Sequence, residues 1–179
     1  MKRIVIFASG SGTNAENIIK YFQKNNLAEV TLVLSNKIDA KVLDRAKFFS
    51  IPSESFNKSE LMNSDRITAI LRKESPDLIV LAGFLLKFPE FILKAFPNKV
   101  INIHPALLPK YGGKGMYGML VHESVVKNKE PETGITIHYV NENYDEGSII
   151  FQKSFQLSEN DTAESVASRI HELEYEFFP

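Results

Sequence analysis

The sequence predicts a single α/β domain over residues 1–179, with a mostly parallel sheet, helices on both faces and a C-terminal antiparallel, hairpin-like extension. Three observations carry this reading. Short apolar, β-branched runs alternate with segments whose apolar positions recur at helical spacing, the pattern of parallel strands joined by crossover helices. The alternation changes after residue 103, where Gly134–Val140 and Ser148–Lys153 flank a polar turn, as in a hairpin. The 179 residues are 44% hydrophobic and 24% charged without a shift in composition, which suits one sizeable core rather than two domains.

The elements follow in order. Ile4–Ala8 is a short buried strand, and the loop Ser9-Gly-Ser-Gly-Thr-Asn14 leads into a helix with Ala15, Ile18, Ile19 and Phe22 on one face. Val30–Leu34 is a second strand, and Val42, Leu43, Ala46 and Phe49 mark a second helix. Phe56–Ser59 reads as a loop before a third helix with Ile67, Ile70 and Leu71 inward, ended by Ser75-Pro-Asp77. Leu78–Ala82 is the third strand, Phe88–Phe96 a short helix bounded by prolines, and Val100–Ile103 the fourth strand. A helix is expected near Met119–Lys127. Asp161-Thr-Ala-Glu164 resembles a capping box opening a last helix with Val166, Ile170, Leu173 and Phe177 inward.

Composition excludes several functions. A net charge of -1 gives no electrostatic footprint for nucleic acid or an anionic membrane. The absence of cysteine removes disulfides, thiolate chemistry and cysteine-based zinc sites. No apolar run approaches the roughly 20 residues that cross a bilayer. Met1–Phe7 enters a strand after two charges, with no signal-peptide core, so a cytoplasmic protein is expected.

Ligands of open α/β sheets bind beyond the carboxyl ends of the strands. Two candidate groups fall there. Gly10-Ser-Gly12-Thr13-Asn14, between a strand and a helix, has the chemistry of a phosphate cradle, with free N–H groups at the helix start. It lacks a third glycine, and the second strand ends Ser35-Asn36-Lys37 without an acid, so a small phosphorylated ligand fits better than a dinucleotide.

The second group is Asn102 and His104 at a strand end, before Pro105. With Asp145 from the later turn they would supply an oxyanion donor, a proton carrier and an anion beside it, although spacing alone does not bring Asp145 to His104. A carboxylate there would raise the histidine pKa and favour proton donation to a tetrahedral oxyanion. Asp145 is otherwise an ordinary turn residue. His138 alternates in a strand and is equally a core side chain, His171 is a helix-surface residue, and His122 is a capping or loop contact. Neither H-E-x-x-H nor any cysteine is present, so no metal is expected.

Asn102-x-His104-Pro-x-Leu-Leu-Pro109, with Gly134-x-Thr-Ile-x-Tyr-Val140 and the turn Asp145-x-Gly147, resembles the paired signatures of folate-dependent formyltransferases. The Ser9–Asn14 loop points to the phosphoribosylglycinamide branch, and the resemblance runs from the first strand to Glu174. It implies a Rossmann-like domain with a phosphate-binding half over about 1–100 and a catalytic, folate-binding half over about 100–179. The implied reaction is metal-free formyl transfer from 10-formyltetrahydrofolate to the glycinamide amine of 5'-phosphoribosylglycinamide, in purine (IMP) biosynthesis. Asn102, His104 and Asp145 would be catalytic, and Gly12, Thr13 and Asn14 would hold the phosphate. Glu174 would lie at the ribose side of that substrate. Leu85, Leu86, Lys87 and Phe88, with Asn102 and the loop from Asn141 to Tyr144, would bracket the folate, with His138 in support.

The chain departs from the pattern in three places. Many members carry Met-Arg where Leu85-Leu86 stand, so a basic contact to folate is missing unless Lys58 or Lys87 replaces it. Gly112–Gly118 is richer in glycine than usual, and relatives usually continue beyond Pro179, which implies a shortened chain. The partners implied are small molecules, with neither nucleic acid nor membrane. Three rivals stay open. Formyltetrahydrofolate hydrolases usually carry an extra N-terminal regulatory domain, and methionyl-tRNA formylation wants an RNA-binding domain and a basic surface. A non-catalytic folate or phosphate binder would have no use for an acid–base group and an oxyanion donor together.

Overall fold

The computed structural model describes residues 1–179. Seven strands, β1 (Lys2–Phe7), β2 (Ala28–Ser35), β3 (Ser53–Ser55), β4 (Leu78–Leu81), β5 (Val100–His104), β6 (Glu132–Tyr139) and β7 (Ile149–Gln156), form one mixed sheet in the order β3-β2-β1-β4-β5-β6-β7. The chain divides into two compact units, residues 1–101 with Pro179, and residues 102–178.

In the first unit β1 (Lys2–Phe7) pairs in parallel with β2 (Ala28–Ser35) on one side and β4 (Leu78–Leu81) on the other. Parallel neighbours need crossovers. Helix α1 (Thr13–Asn25) makes the first, packing against β2 through a face that buries Ala15, Ile18 and Ile19. Helix α2 (Lys41–Phe48) makes the second, burying Val42 and Ala46. The carboxyl end of β1 plants Phe7 in an edge-to-face cluster with Phe56, Phe84 and Phe88. Helix α5 (Glu90–Ala95) then leads to β5 (Val100–His104).

The segment between Ser53 and Glu74 differs from expectation. The Phe56 region is preceded by an edge strand, β3 (Ser53–Ser55), parallel to β2. Three polar residues carry no apolar alternation, so the strand left no trace in the hydrophobic pattern. Two helices follow instead of one, α3 (Lys58–Asn63) and α4 (Arg66–Glu74). Helix α3 opens on a capping box in which Asn57 and Glu60 exchange side-chain-to-backbone hydrogen bonds. In α4, Thr68 is buried with Ile67 and Leu71, while Ile70 is only half-buried.

In the second unit β6 (Glu132–Tyr139) pairs antiparallel with β7 (Ile149–Gln156), confirming the hairpin. Strand β6 is buried from Thr133 to His138, whereas β7 is exposed at nearly every position. Gly134 is obligatory in this pairing, because a Cβ there would lie 1.9 Å from the Lys153 carbonyl oxygen. Helix α6 (Met119–Lys127) packs against α7 (Ala163–Phe177), and α7 against β6. The cap of α7 falls one residue later than expected. Thr162 and Ser165 form the capping box, and Asp161 accepts hydrogen bonds from the Ser158 amide and the Ser165 hydroxyl. Val166 and Ile170 are buried, Leu173 and Phe177 are half-buried, and Glu174 is a buried charged residue on the same helix.

Candidate active site

The strand β5 delivers Asn102 and His104, and the turn after β6 delivers Asp145 to His104. His104 Nδ1 lies 3.6 Å from Asp145 Oδ2, and His138 Nε2 lies 3.6 Å from Asp145 Oδ1. One carboxylate therefore faces two imidazoles, all three largely withdrawn from water. The Gly113 amide donates to Asp145 Oδ2 at 2.9 Å and fixes the carboxylate. Asp145 has φ 56, and Gly112 lies so close that a Cβ would come 3.2 Å from that of Asp145. The glycine-rich loop thus has a specific use, in that it lets backbone approach the acid.

Ring orientations follow from the backbone acceptors. His104 Nε2 donates to the Tyr111 carbonyl at 2.7 Å, which leaves Nδ1 as the nitrogen that can exchange a proton. His138 Nδ1 donates to the Tyr139 carbonyl at 2.9 Å, so its Nε2 accepts from Asn102 Nδ2 at 3.1 Å. That bond turns the amide of Asn102 so that its NH₂ group faces His138, with a second N–H available to another acceptor. His138, half expected to be a plain core residue, is buried and belongs to this network.

The charge states differ from expectation in one respect. Burial pushes the His104 pKa below the ordinary histidine value, outweighing the Asp145 carboxylate and the Tyr111 carbonyl, which raise it, while His138 lowers it further. Desolvation wins because the ring is 4% exposed and the carboxylate stands beyond hydrogen-bond distance. His104 is thus neutral at rest. Asp145 is an anion. Burial raises its pKa, but the hydrogen bond with the His138 ring, the attraction of His104 once that ring is protonated and the Gly113 N–H together hold it below the ordinary carboxylate value.

The segment that follows His104 is tied down by one hydroxyl. Thr136, fully buried on β6, accepts from the Leu108 amide at 3.0 Å and from Gln152 at 2.9 Å, and donates to the Ala106 carbonyl at 2.7 Å. Tyr111 is held in turn by its hydroxyl, which donates to Glu130 and accepts from Asn128. Tyr111 and Gly113 meet the catalytic pair through backbone and Thr136 acts through a buried hydroxyl away from it, so no residue-type signal marked them.

Glu174 lies on α7, 6% exposed, and accepts from His171 Nδ1 at 2.9 Å. His171 is exposed, as expected of a helix-surface residue, and also pairs with Glu174, with its pKa raised first by that hydrogen bond. His122 is 3% exposed on α6, a buried ring and not a loop contact. Asn141 closes a turn by accepting from the Asn143 amide at 3.0 Å, and Tyr144 beside it is exposed.

In the first unit, Gly12 caps α1 in a left-handed conformation, with φ 73 and no side-chain cap. A Cβ on Gly12 would strike Val42, at 2.4 Å, so only glycine fits. Thr13 and Asn14 begin the helix, so the N–H groups of its first turn point toward its N-terminal end. Arg45 supports the loop through the Ser11 carbonyl at 2.7 Å and an ion pair with Glu16. Leu85 is exposed, Leu86 half-buried and Lys87 exposed, with the Leu85 amide donating to Ser9 Oγ at 2.9 Å. Phe88 is 3% exposed within the Phe7 cluster, where its ring packs edge-to-face on Phe7. Lys58 is exposed at the start of α3.

No three His, Asp or Glu side chains are grouped to hold a metal ion, and no helix is long and apolar enough to cross a membrane. A family described as formyl transferase matches residues 2–179. The chain is 38% identical over 184 residues to a phosphoribosylglycinamide formyltransferase of Bacillus subtilis, covering 100% of this chain and 92% of that protein. It is 37% identical to the chloroplastic phosphoribosylglycinamide formyltransferase of Arabidopsis thaliana, where it covers 99% of its own length but 63% of the relative. The crystal structure of phosphoribosylglycinamide formyltransferase from Bacillus halodurans superposes with a TM-score of 0.88 at 36% identity, over 99% of this chain and 92% of that one. The whole length from β1 to α7 is thus shared with these proteins, and the chain belongs to the formyl transferase family.

Proposed function

We propose that this protein transfers the formyl group of 10-formyltetrahydrofolate to the glycinamide amine of 5'-phosphoribosylglycinamide, a step of purine (IMP) biosynthesis in the cytoplasm. The observation that carries the reading is the network in which Asp145 faces His104 and His138 and His138 bonds Asn102, which joins a donor, a neutral proton carrier and an anion. These are the chemistries formyl transfer to an amine requires, and the relatives named above bear that activity in their names.

The folate co-substrate supplies the formyl carbon. The N–H of Asn102 that is not bonded to His138 donates to the oxyanion that develops on the formyl oxygen, a contribution of about 3–4 kcal/mol for one such donor. His104 Nδ1 takes the proton released by the attacking amine, then returns it to the departing nitrogen as the carbonyl re-forms. Asp145 stabilises the imidazolium between these transfers, so its charge acts in the transition state more than at rest. A general acid–base group of this kind contributes about 10²–10⁴ in rate.

Gly12, Thr13 and Asn14 hold the substrate phosphate through backbone N–H groups at the start of α1. The half around residues 1–100 thus binds phosphate, and the half around 100–179 carries the chemistry and, with Leu85, Leu86 and Lys87, the folate. Asn141 and Tyr144 stand at the pterin end, and Glu174 at the ribose. Lys58 or Lys87 meets the folate glutamate in place of the basic residue missing at Leu86.

The test follows tetrahydrofolate release with and without the ribonucleotide, for the native chain and His104→Ala. Release that requires the ribonucleotide and disappears in His104→Ala is expected. Release without the ribonucleotide would make the protein a hydrolase, and binding of both ligands without turnover would make it a binding module.

A further inference from the structure

Ser9 opens the glycine loop, is 1% exposed and has no part in the reaction described above. The Ala82 amide donates to the Phe7 carbonyl at 2.9 Å and the Ser9 amide to the Gly83 carbonyl at 3.1 Å, so the ladder of β1 and β4 runs on past both strands. Gly83 then turns with φ 71, and two residues later the Leu85 amide donates to Ser9 Oγ at 2.9 Å. The hydroxyl itself donates to Asn36 Oδ1 at 2.6 Å, one residue past β2. A hydroxyl has one proton to give and lone pairs to receive, and Ser9 uses both. The segments leaving the carboxyl ends of β1, β2 and β4 therefore meet at one buried oxygen.

On one side of that oxygen the chain is held weakly by packing. From Gly83 to Lys87 no residue is buried, and Phe84 alone joins the aromatic cluster, through Phe7 and Phe56. The bond from Leu85 to Ser9 thus does much to set where this segment stands. On the other side the path is short and fastened. Gly10 and Ser11 separate Ser9 from Gly12, and their carbonyls accept from the Val42 amide at 3.2 Å and from Arg45 at 2.7 Å.

We propose that Ser9 is a positioning residue that couples the two substrates. An anion held at Gly12–Asn14 orders the Ser9 hydroxyl, which orders the Leu85 amide and readies residues 85–87 for the folate. Ordering supplied by the first ligand is not required again of the second, which gives positive cooperativity without contact between them. The coupling is reciprocal, so the folate strengthens phosphate binding by the same factor. The inference rests on the reading that the loop holds phosphate and that residues 85–87 meet the folate, and adds to it the link between them.

The test uses inorganic phosphate and tetrahydrofolate. The ion lacks the sugar and the amine that would bring it to the folate, and tetrahydrofolate carries no formyl group to transfer, so coupling between them passes through the protein. Amide hydrogen exchange on the native chain comes first. Phosphate should slow exchange severalfold at Gly12, Thr13 and Asn14, and at Leu85 as well. In Ser9→Ala the slowing should persist in the loop and vanish at Leu85. By calorimetric titration, saturating phosphate should tighten tetrahydrofolate about fivefold in the native chain, and the factor should fall to about one in Ser9→Ala. Asn36→Ala keeps the hydroxyl without its acceptor and should retain part of the factor. A merely structural serine would lower Tm and weaken each ligand alone, with the factor unchanged.

Phosphate that leaves exchange at residues 12–14 unchanged, or tetrahydrofolate that does not bind the native chain, would defeat the reading of those sites and the coupling with it. Slowing confined to residues 12–14 in the native chain, or a factor that is the same in both variants as in the native chain, would overturn the role of Ser9 alone.

Discussion

His104 Nδ1 and Asp145 Oδ2 stand 3.6 Å apart, close enough for charge to act and too far for a hydrogen bond. The resting histidine therefore gives way to its burial and stays neutral, while the carboxylate waits for the charge that the reaction creates. Asp145→Asn should lower kcat by about 10²-fold, within the range of acid–base contributions. Asp145 is also a group that raises the His104 pKa, so its loss lowers that pKa further. Activity requires neutral His104, so the acid limb of the pH–rate profile should move to lower pH in the variant. A profile that stays in place at full activity would remove Asp145 from the mechanism.

His138 reaches the reaction through Asn102. Its Nε2 accepts the Asn102 amide at 3.1 Å and so decides which end of that amide points at the ring. His138→Phe keeps the buried volume and frees the amide to turn, which should lower kcat by about 10-fold or more with smaller changes in either KM. Asn102→Ala removes the donor altogether and should cost about 10²–10³ in kcat. The double variant should lose less than the product of the two single losses, because the Asn102–His138 bond is shared between them. Additive losses would show that His138 has a role of its own.

Much of this was legible in the chain. The strand run that ends Asn102-Ile-His104 and the hairpin from Gly134 carry strong apolar patterns, and both fold as their periodicity requires. Asn102 and His104 are readable because amides and imidazoles at strand ends are chemically suggestive. What was not legible has a common cause. Strand β3 is three polar residues held only by its parallel neighbour, so its signal is tertiary. The neutral state of His104 depends on burial, which sequence spacing does not report. Phe88 lies in a family segment expected at the folate yet turns into the Phe7 cluster, because a side chain's facing is decided by packing.

Thr136 offers a test of that packing. Its hydroxyl meets the Leu108 amide, the Ala106 carbonyl and Gln152, all within hydrogen-bond distance, in a site with no exposure. Thr136→Val keeps the shape and strands the buried Leu108 N–H, at a cost of about 1–3 kcal/mol. Thermal unfolding should show that loss, and kcat should fall with it because the same loop fixes the backbone next to His104. Thr136→Ser should retain most of both. A valine variant as stable and active as the native chain would mean that Leu108 and Ala106 find other partners.

Acid should weaken the unit formed by residues 102–178 from two directions. His104 and His122 both have folded pKa values below the ordinary 6.5, first through burial. The unfolded chain therefore takes up protons below 6.5 that the folded chain refuses, and stability declines as pH falls through that value. Asp145 acts lower down. Its folded pKa lies below the ordinary 3.8, so its contribution is intact above that value and is lost as pH falls through the folded pKa. His171 has the opposite sign, since its raised pKa gives stability that is full below 6.5 and lost on the alkaline side. Its side chain is 53% exposed, so solvent screening leaves it too weak to offset two buried rings. Tm should fall between pH 7.5 and pH 5.5, and the fall should shrink in His104→Gln and further in His104→Gln/His122→Phe. A double variant that loses as much Tm as the native chain over that interval would place the acid-sensitive groups elsewhere.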